Sequence, residues 1–466
     1  MAEKTYRLAV LGGGPGGYVA AIRAAQLGLE TVVIEREHLG GICLNWGCVP
    51  TKALLKSAEL FATLHRLGDF GLAADNPRFD LEQVVKRSRK IADRLNAGIA
   101  YLLKKNKVTV IEGSGRLAAK GRIAITDGAG EPGEITAQNI IIATGARARD
   151  LPGLEADGKR IWTYKHAMVP TELPKRLLVV GSGAIGIEFA SFYRHLGAEV
   201  TVVEVVDRIL PVEDEEIAGL AHKAFHKQGI NILTSARVDG LKAGKTSVLA
   251  RISVADKAQE IEVDRVIVAV GITGNVEDIG LEDAGVTVEK GHIPVNEWGE
   301  TGVPGIFAIG DVAGPPWLAH KASHEGIVAV ERIAGVAGAH PLDVGNIPAC
   351  TYSMPQIASV GLSEQAARAQ GFEVRVGRFP AIANGRALAV GKTDGLVKTL
   401  FDAKTGALLG AHMIGAEVSE MIQGFAIART LETTEAELIR TVFPHPTLSE
   451  MMHEAVLDAF GRVIHY

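Results

Sequence analysis

The feature that most constrains this chain is a repeat. The stretch Leu8 to Glu35, "LAVLGGGPGGYVAAIRAAQLGLETVVIE", aligns with Leu177 to Glu204, "LLVVGSGAIGIEFASFYRHLGAEVTVVE", after a shift of 169 residues. Each copy reads as apolar strand, G-x-G-x-x-G, helix, second strand and terminal acid. Gly12, Gly14 and Gly17 in the first copy, and Gly181, Gly183 and Gly186 in the second, fit three needs: a tight turn, backbone approach to a pyrophosphate, and close helix packing. The N-terminus of each following helix offers free N–H groups and a positive dipole end to phosphates. Glu35 and Glu204 each stand 18 residues past the third glycine, where a carboxylate can bond a ribose diol. Two dinucleotide sites are therefore expected in an α/β fold, one able to hold its ligand tightly and the other to exchange it. Glu204 accepts hydrogen bonds from a 2′-hydroxyl and repels a 2′-phosphate, which predicts NAD over NADP; Arg208 is the nearest cation that would argue otherwise.

With 466 residues the chain exceeds one ordinary core, and two to four domains are expected. A net charge of −5 argues against nucleic acid as the main partner. No apolar run approaches the roughly 20 residues that span a membrane. The N-terminus enters a strand almost at once, with no leader ahead of it, so a cytoplasmic protein is expected. Three cysteines are too few for a secreted disulfide framework.

Two of those cysteines, Cys43 and Cys48, fall in "GGICLNWGCVPTKALL". Zinc normally takes four ligands in paired spacings, and no second cysteine pair exists. Two buried thiols and a zinc site completed by distant histidines are the competing readings. The redox reading is favoured by the following helical run, whose N-terminus lowers thiol pKa values, and by the adjacent nucleotide unit. Geometry sets a condition on it. Five residues of regular helix rise about 7.5 Å, and bridged Cα atoms lie within roughly 7 Å. A Cys43–Cys48 bridge therefore requires a distorted turn, which Gly47 could supply. Lys52, four residues after Cys48, is a candidate to support a flavin or a charge; alone it reads as an exposed helix lysine. His320 and His324 have metal-like spacing without a further carboxylate pattern, and no metal site is expected. His445 precedes Glu450 by five residues; a carboxylate on one imidazole nitrogen would fix the tautomer and leave the other nitrogen as a base.

These motifs resemble those of the flavin-dependent pyridine nucleotide-disulfide oxidoreductases. "GGICLNWGCVPTK" looks like that family's redox signature, and "IIATGA" (141–146), "GIFAIGDV" (305–312), "LAHKASHEG" (318–326) and "HPTLSE" (445–450) follow in the family's order along the whole chain. The resemblance implies two Rossmann-like dinucleotide-binding domains, for FAD and NAD, plus a C-terminal α+β dimerisation domain. It divides the chain into an FAD domain (1–147), an NAD domain (148–275), a central domain completing the FAD site (276–343) and an interface domain (344–466). It implies tightly bound, non-covalent FAD on the first copy and exchangeable NAD on the second. Further cofactor contacts are implied at Lys52, Gly115, Thr144, Gly145, Asp311 and Ala319 for FAD, and at Glu188 and Gly271 for NAD. Taken alone, Asp311 is a strand-end cap and Glu188 a surface acid. Cys43 is implied to be the interchange sulfur and Cys48 the sulfur beside the flavin. His445 and Glu450 are implied to serve the other subunit of a homodimer, with a cis bond into Pro446.

The implied activity is oxidation of a protein-bound dihydrolipoyl dithiol by NAD⁺. The implied partners are lipoyl domains and core subunits of 2-oxo acid dehydrogenase complexes, or the glycine cleavage H protein. Family members that use NADPH are disfavoured by Glu204. Those with a C-terminal cysteine pair are excluded, because the last cysteine is Cys350. A pure docking scaffold would bind such complexes without turnover; the cysteine pair and His445 argue against it. Two departures stand out. Gly271 is followed by Ile272-Thr273-Gly274 where an arginine is common, and Trp46 stands where a smaller apolar residue is usual.

Overall fold

The computed structural model describes residues 5–126, 133–255 and 257–466. The chain folds as two compact units: Met1–Ala53, Val85–Arg149 and Gly271–Leu342 form the first, and Leu54–Val84, Asp150–Val270 and Asp343–Tyr466 the second.

The first unit is built on strands β1 (Thr5–Leu11), β2 (Thr31–Glu35), β3 (Thr109–Glu112), β4 (Ser114–Ala119), β5 (Arg122–Thr126) and β6 (Gly133–Ile142), in the order β3-β2-β1-β6-β5-β4, with Ile306–Ala308 also paired to β6. The pairs β1–β2, β2–β3 and β1–β6 are parallel. A parallel sheet is covered on both faces, which is why β1 reads as an almost unbroken apolar run. Successive side chains alternate between those faces. Leu8, Val10, Val33 and Ile141 share a core with Ala20, Ala21 and Ala24 of helix α1 (Pro15–Gln26). Ala9, Leu11, Val32 and Ile34 share the other with Leu117, Ile123 and Leu281. Helices α2 (Gly41–Trp46), α3 (Cys48–Leu64) and α4 (Leu81–Lys105) follow β2.

The second unit repeats the design. Its parallel sheet runs Asn231–Leu233, Glu199–Val203, Arg176–Val180, Arg265–Val268, Ile161–Trp162. An antiparallel meander, Ala236–Ala243, Val248–Val254 and Lys257–Val263, accompanies it. The C-terminal part is a five-stranded antiparallel sheet with helices Val418–Thr430 and Glu450–Ala459. Fold class and C-terminal α+β domain thus match the expectation. Among the described residues, no helix is long and apolar enough to cross a membrane.

A buried charge cluster ties this unit together. Lys398 is 2% exposed, and its ammonium lies 2.9 Å from Asp214, 3.0 Å from Glu216 and 2.8 Å from Glu364. Arg378 adds a 2.8 Å bond to Glu216. Burial opposes ionisation of the three carboxyls, but the hydrogen bonds from Lys398, joined by Arg378 at Glu216 and by Arg368 at Glu364, outweigh it and hold them below their ordinary values. Burial likewise opposes the Lys398 charge, and its three carboxylate partners raise its pKa. The depressed carboxyls stabilise the fold fully above the unfolded carboxyl pKa, about 4, and cease to do so as pH falls through their folded values. The raised lysine contributes fully below about pH 10 and loses its contribution at higher pH. The thermal midpoint, followed by circular dichroism, is expected to fall steeply between about pH 5 and pH 3. A flat midpoint over that range would show that the cluster adds no net stability.

Candidate active site

The cysteine stretch folds as two short helices broken at one residue. Gly47 has φ −147° and ψ −116°, far from helical values, so α2 stops at Trp46 and α3 starts afresh at Cys48. That break brings the Cys43 and Cys48 Cα atoms to 4.8 Å, and the two are joined as a disulfide. This is the distortion the spacing demanded. A side chain at Gly47 would place its Cβ 3.1 Å from the Ile42 carbonyl oxygen and 3.4 Å from the Cys43 Cα. Cys48 is the first residue of α3, where the helix dipole favours a thiolate. The Asn45 amide donates to the carbonyls of Leu39 (3.0 Å) and Gly41 (2.8 Å). Arg89 of α4 donates to the Asn45 carbonyl at 2.6 Å and lies 4.8 Å over the Trp46 ring. Trp46 thus packs under a guanidinium. Lys52 sits one turn along α3 from Cys48. Cys350 lies outside the disulfide, its thiol facing the Ser419 carbonyl at 3.9 Å.

The two glycine loops agree atom by atom. Gly12 and Gly181 have φ +102° and +97°, and a Cβ on either would sit 2.3–2.4 Å from a carbonyl oxygen of Ala143 or Ala269. A Cβ on Gly17 would lie 1.9 Å from the Gly12 oxygen, and one on Gly186 would lie 2.1 Å from the Gly181 oxygen. The middle glycines differ: a Cβ on Gly183 meets nothing within 4 Å, and one on Gly14 meets only the Gly41 Cα at 3.9 Å. The first and third glycines are required by the chain's own packing, and the second leaves open space in front of the helix N-terminus. An incoming pyrophosphate needs that space.

Each terminal acid closes on its loop. Glu35 accepts the Gly13 N–H at 2.7 Å and the Glu37 N–H at 2.8 Å. Glu204 accepts the Ser182 N–H at 2.9 Å, the Ser182 hydroxyl at 2.6 Å and the Val206 N–H at 3.1 Å. Arg208 is engaged elsewhere, 3.0 Å from Glu215 and 3.2 Å from the Pro211 carbonyl.

Around the first loop, the Thr144 hydroxyl donates to the Asn275 carbonyl and the Asn275 amide donates to the Thr144 carbonyl, both at 2.8 Å. The Asn275 N–H also bonds the Gly145 carbonyl at 2.9 Å. Gly115 pairs with Ile125, and a Cβ on it would lie 2.4 Å from the Leu11 side chain. Asp311 lies in the short 3₁₀ turn Gly310–Ala313; burial first, with Glu325 nearby, pushes its carboxyl above the ordinary value against the opposing pull of Lys321. Ala319 opens the helix Ala319–Ala334. In the second unit, Glu188 on helix Ala184–His195 is only 5% exposed and accepts the Tyr352 N–H at 3.0 Å, so it is not a surface acid. Gly271 accepts from the Arg149 N–H at 3.1 Å, and Ile272–Gly274 forms a strand against Ala146–Ala148.

His445 and Glu450 meet as anticipated. The Nδ1–Oε1 distance is 2.9 Å, and the second Glu450 oxygen accepts the Thr447 N–H at 2.8 Å. The His445–Pro446 bond is cis, and the imidazole side chain is 79% exposed. Burial acts against the Glu450 charge, but the Thr447 N–H and His445 outweigh it and keep the carboxyl below its ordinary range. Nδ1 is committed to a carboxylate, which leaves Nε2 free to accept a proton.

Residues 6–326 match the pyridine nucleotide-disulphide oxidoreductase family, and residues 347–456 match that family's dimerisation domain. A dihydrolipoyl dehydrogenase of Zymomonas mobilis is 56% identical, covering 99% of both chains. One of Rhizobium etli is 55% identical over 100% of both. The crystal structure of LpdA from Mycobacterium tuberculosis superposes with a TM-score of 0.90 at 32% identity, covering 97% of this chain and 98% of that one.

The chain belongs to the pyridine nucleotide-disulphide oxidoreductase family.

Its cofactors are accordingly FAD and NAD(H), and the two open cradles at Gly14 and Gly183 fit dinucleotides. As a pyridine nucleotide-disulphide oxidoreductase it carries the dimerisation domain of a homodimer. Motif reading missed the supports of this site. Lys321 is buried, pairs with Glu325 at 2.8 Å and donates to the Gly314 carbonyl at 3.1 Å; Glu325 in turn accepts the Gly310 N–H at 2.7 Å. The i, i+4 Lys-Glu spacing within "HKASHE" was the available signal. Among the described residues no cluster of three or more His, Cys, Asp or Glu side chains could hold a metal.

Proposed function

We propose that this chain is a dihydrolipoyl dehydrogenase: it reoxidises protein-bound dihydrolipoyl groups to the cyclic disulfide and reduces NAD⁺. The observation that carries this reading is the Cys43–Cys48 disulfide at the start of α3, in a chain with two dinucleotide cradles and 55–56% identity to enzymes of that name.

Nε2 of the partner subunit's His445 takes a proton from one substrate thiol. The thiolate attacks Cys43 Sγ, and Cys48 leaves as a thiolate held by the α3 N-terminus. The second substrate thiol displaces Cys43 from the mixed disulfide, which releases the oxidised lipoyl group and leaves both cysteines reduced. When bound, FAD supplies a two-electron acceptor for the dithiol and a hydride donor for NAD⁺. Gly12, Gly14, Gly17, Glu35, Lys52, Gly115, Thr144, Gly145, Asp311 and Ala319 would hold it. Gly181, Gly183, Gly186, Glu188, Glu204 and Gly271 would hold NAD. The commitment of Glu204 to Ser182, and of Arg208 to Glu215, favours NAD over NADP. The regions 1–147, 148–275, 276–343 and 344–466 serve FAD, NAD, the central domain and the dimer interface. The partners are lipoyl domains and core subunits of 2-oxo acid dehydrogenase complexes, or the glycine cleavage H protein, in the cytoplasm.

Purified holoenzyme given dihydrolipoamide is expected to form NADH rapidly with NAD⁺ and far more slowly with NADP⁺. Retention of FAD with no response to dihydrolipoamide would overturn the substrate. Gly186→Ala is expected to raise the KM for NAD⁺ about tenfold or more, because the added methyl forces the loop backbone apart. FAD content should be unchanged; loss of FAD with unaltered NAD⁺ affinity would reverse the assignment of the two cradles.

A further inference from the structure

Beside Asp311, one histidine and one tryptophan make a linkage that only a neutral imidazole can hold. His292 Nδ1 lies 3.1 Å from the Lys290 carbonyl, which can only accept, so Nδ1 carries the hydrogen. His292 Nε2 lies 3.3 Å from the Trp317 indole nitrogen, which can only donate, so Nε2 is bare. The two contacts fix a single neutral tautomer, with the rings near-parallel at 27° and their centroids 5.8 Å apart. A second proton could go only to Nε2, where it would set one N–H against another.

The linkage spans the two edges of the Asp311 turn. Next to His292, the Ile293 N–H bonds the Val312 carbonyl at 2.8 Å. Trp317 follows that turn and stands two residues ahead of Ala319, the first residue of helix Ala319–Ala334. Trp317 is 41% exposed. We infer that His292 and Trp317 form a pH-opened latch that positions the segment from Gly314 to Leu318, and with it Asp311 and Ala319, for the flavin. The flavin part rests on the reading that these residues seat FAD; the latch itself does not. His292 is a positioning residue in this scheme.

The charged groups around the latch set its direction. Asp311 on the turn lies within electrostatic reach of His292, as it does of Lys321 and Glu325 on the following helix. Lys321 and Glu325 neutralise each other at 2.8 Å, which leaves Asp311 as the attraction for a protonated ring. Glu289 and Lys290 on the ring's own turn carry opposite charges. Protonation therefore costs His292 its indole donor and draws it towards Asp311.

The test is tryptophan fluorescence of the holoenzyme between about pH 8 and pH 5, the window in which imidazoles titrate, taken as wild type minus Trp317→Phe. A Trp317-dependent transition is expected. His292→Gln retains an acceptor that does not titrate and should abolish the transition while keeping the high-pH signal. His292→Phe retains a ring without an acceptor and should show the low-pH signal throughout. FAD release should become about two- to tenfold faster as the latch opens, the worth of one hydrogen bond of about 0.5–1.5 kcal/mol. A flat Trp317 signal in wild type, or a transition that survives in His292→Gln, overturns the latch. A transition with unchanged FAD release overturns the positioning role. A protein that binds no FAD would refute the flavin seat while fluorescence still decides the latch.

Discussion

Cys48→Ser is expected to lower dihydrolipoamide-dependent NADH formation by at least about a thousandfold while the protein keeps its FAD. Both sulfurs of the Cys43–Cys48 bridge act in one exchange, and removing one member of such a unit costs nearly as much as removing all of it. Serine is close in size, so the α2–α3 break at Gly47 should persist and the loss will be chemical. Cys43→Ser should be as inactive but differ in one respect. It leaves a lone Cys48 thiol at the α3 N-terminus, and that thiol should be alkylated at a pH below the ordinary thiol range. Steady-state assays with alkylation followed by mass spectrometry separate the two variants. Activity of Cys48→Ser within tenfold of wild type would remove the disulfide from the mechanism.

His445→Gln is expected to reduce kcat/KM for dihydrolipoamide about 10²- to 10⁴-fold near neutral pH, the usual worth of a positioned general base. The Glu450 pairing gives the prediction a pH signature. Its carboxyl lies below the ordinary range despite partial burial, because the Thr447 N–H and His445 stabilise the charge. Glu450 therefore stays ionised throughout the region where an imidazole gains its proton. An acid limb in the wild-type profile above about pH 5 is therefore not that of Glu450. That limb should disappear in His445→Gln and persist, at lower overall rate, in Glu450→Gln. An acid limb unchanged in His445→Gln would assign proton transfer to another group.

Much of this was legible from residue order because it is governed by local rules. Strand, glycine turn and helix follow one another within thirty residues, so both nucleotide cradles could be read directly, down to the acid that closes each. The cysteine bridge was legible only as a condition: a continuous helix forbids it, and the dihedrals of one glycine decide whether it forms. Glu188 looked like a surface acid because its burial and its partner, the Tyr352 N–H, come from chain far away in sequence. Lys398 sits in "LVKTLFD", where alternation gives no hint of a buried ammonium. Its three carboxylates arrive from two other segments, at Asp214–Glu216 and Glu364. The His292–Trp317 linkage escaped for the same reason: neither residue belongs to a motif, and only the fold makes them neighbours.

The break at Gly47 has a consequence for durability over many turnovers. Because the cysteines are only five positions apart, opening their bridge frees a very short loop in the unfolded chain. Chain-entropy reasoning gives such a crosslink about 2 kcal/mol, against about 4.7 kcal/mol for one closing a hundred residues. Reducing its own reactive sulfurs thus costs the scaffold less than half of what a long-range crosslink would. Each turnover passes through a reduced state that is less stable by that limited amount, so repeated work exposes the molecule to melting less than a crosslink closing a long loop would.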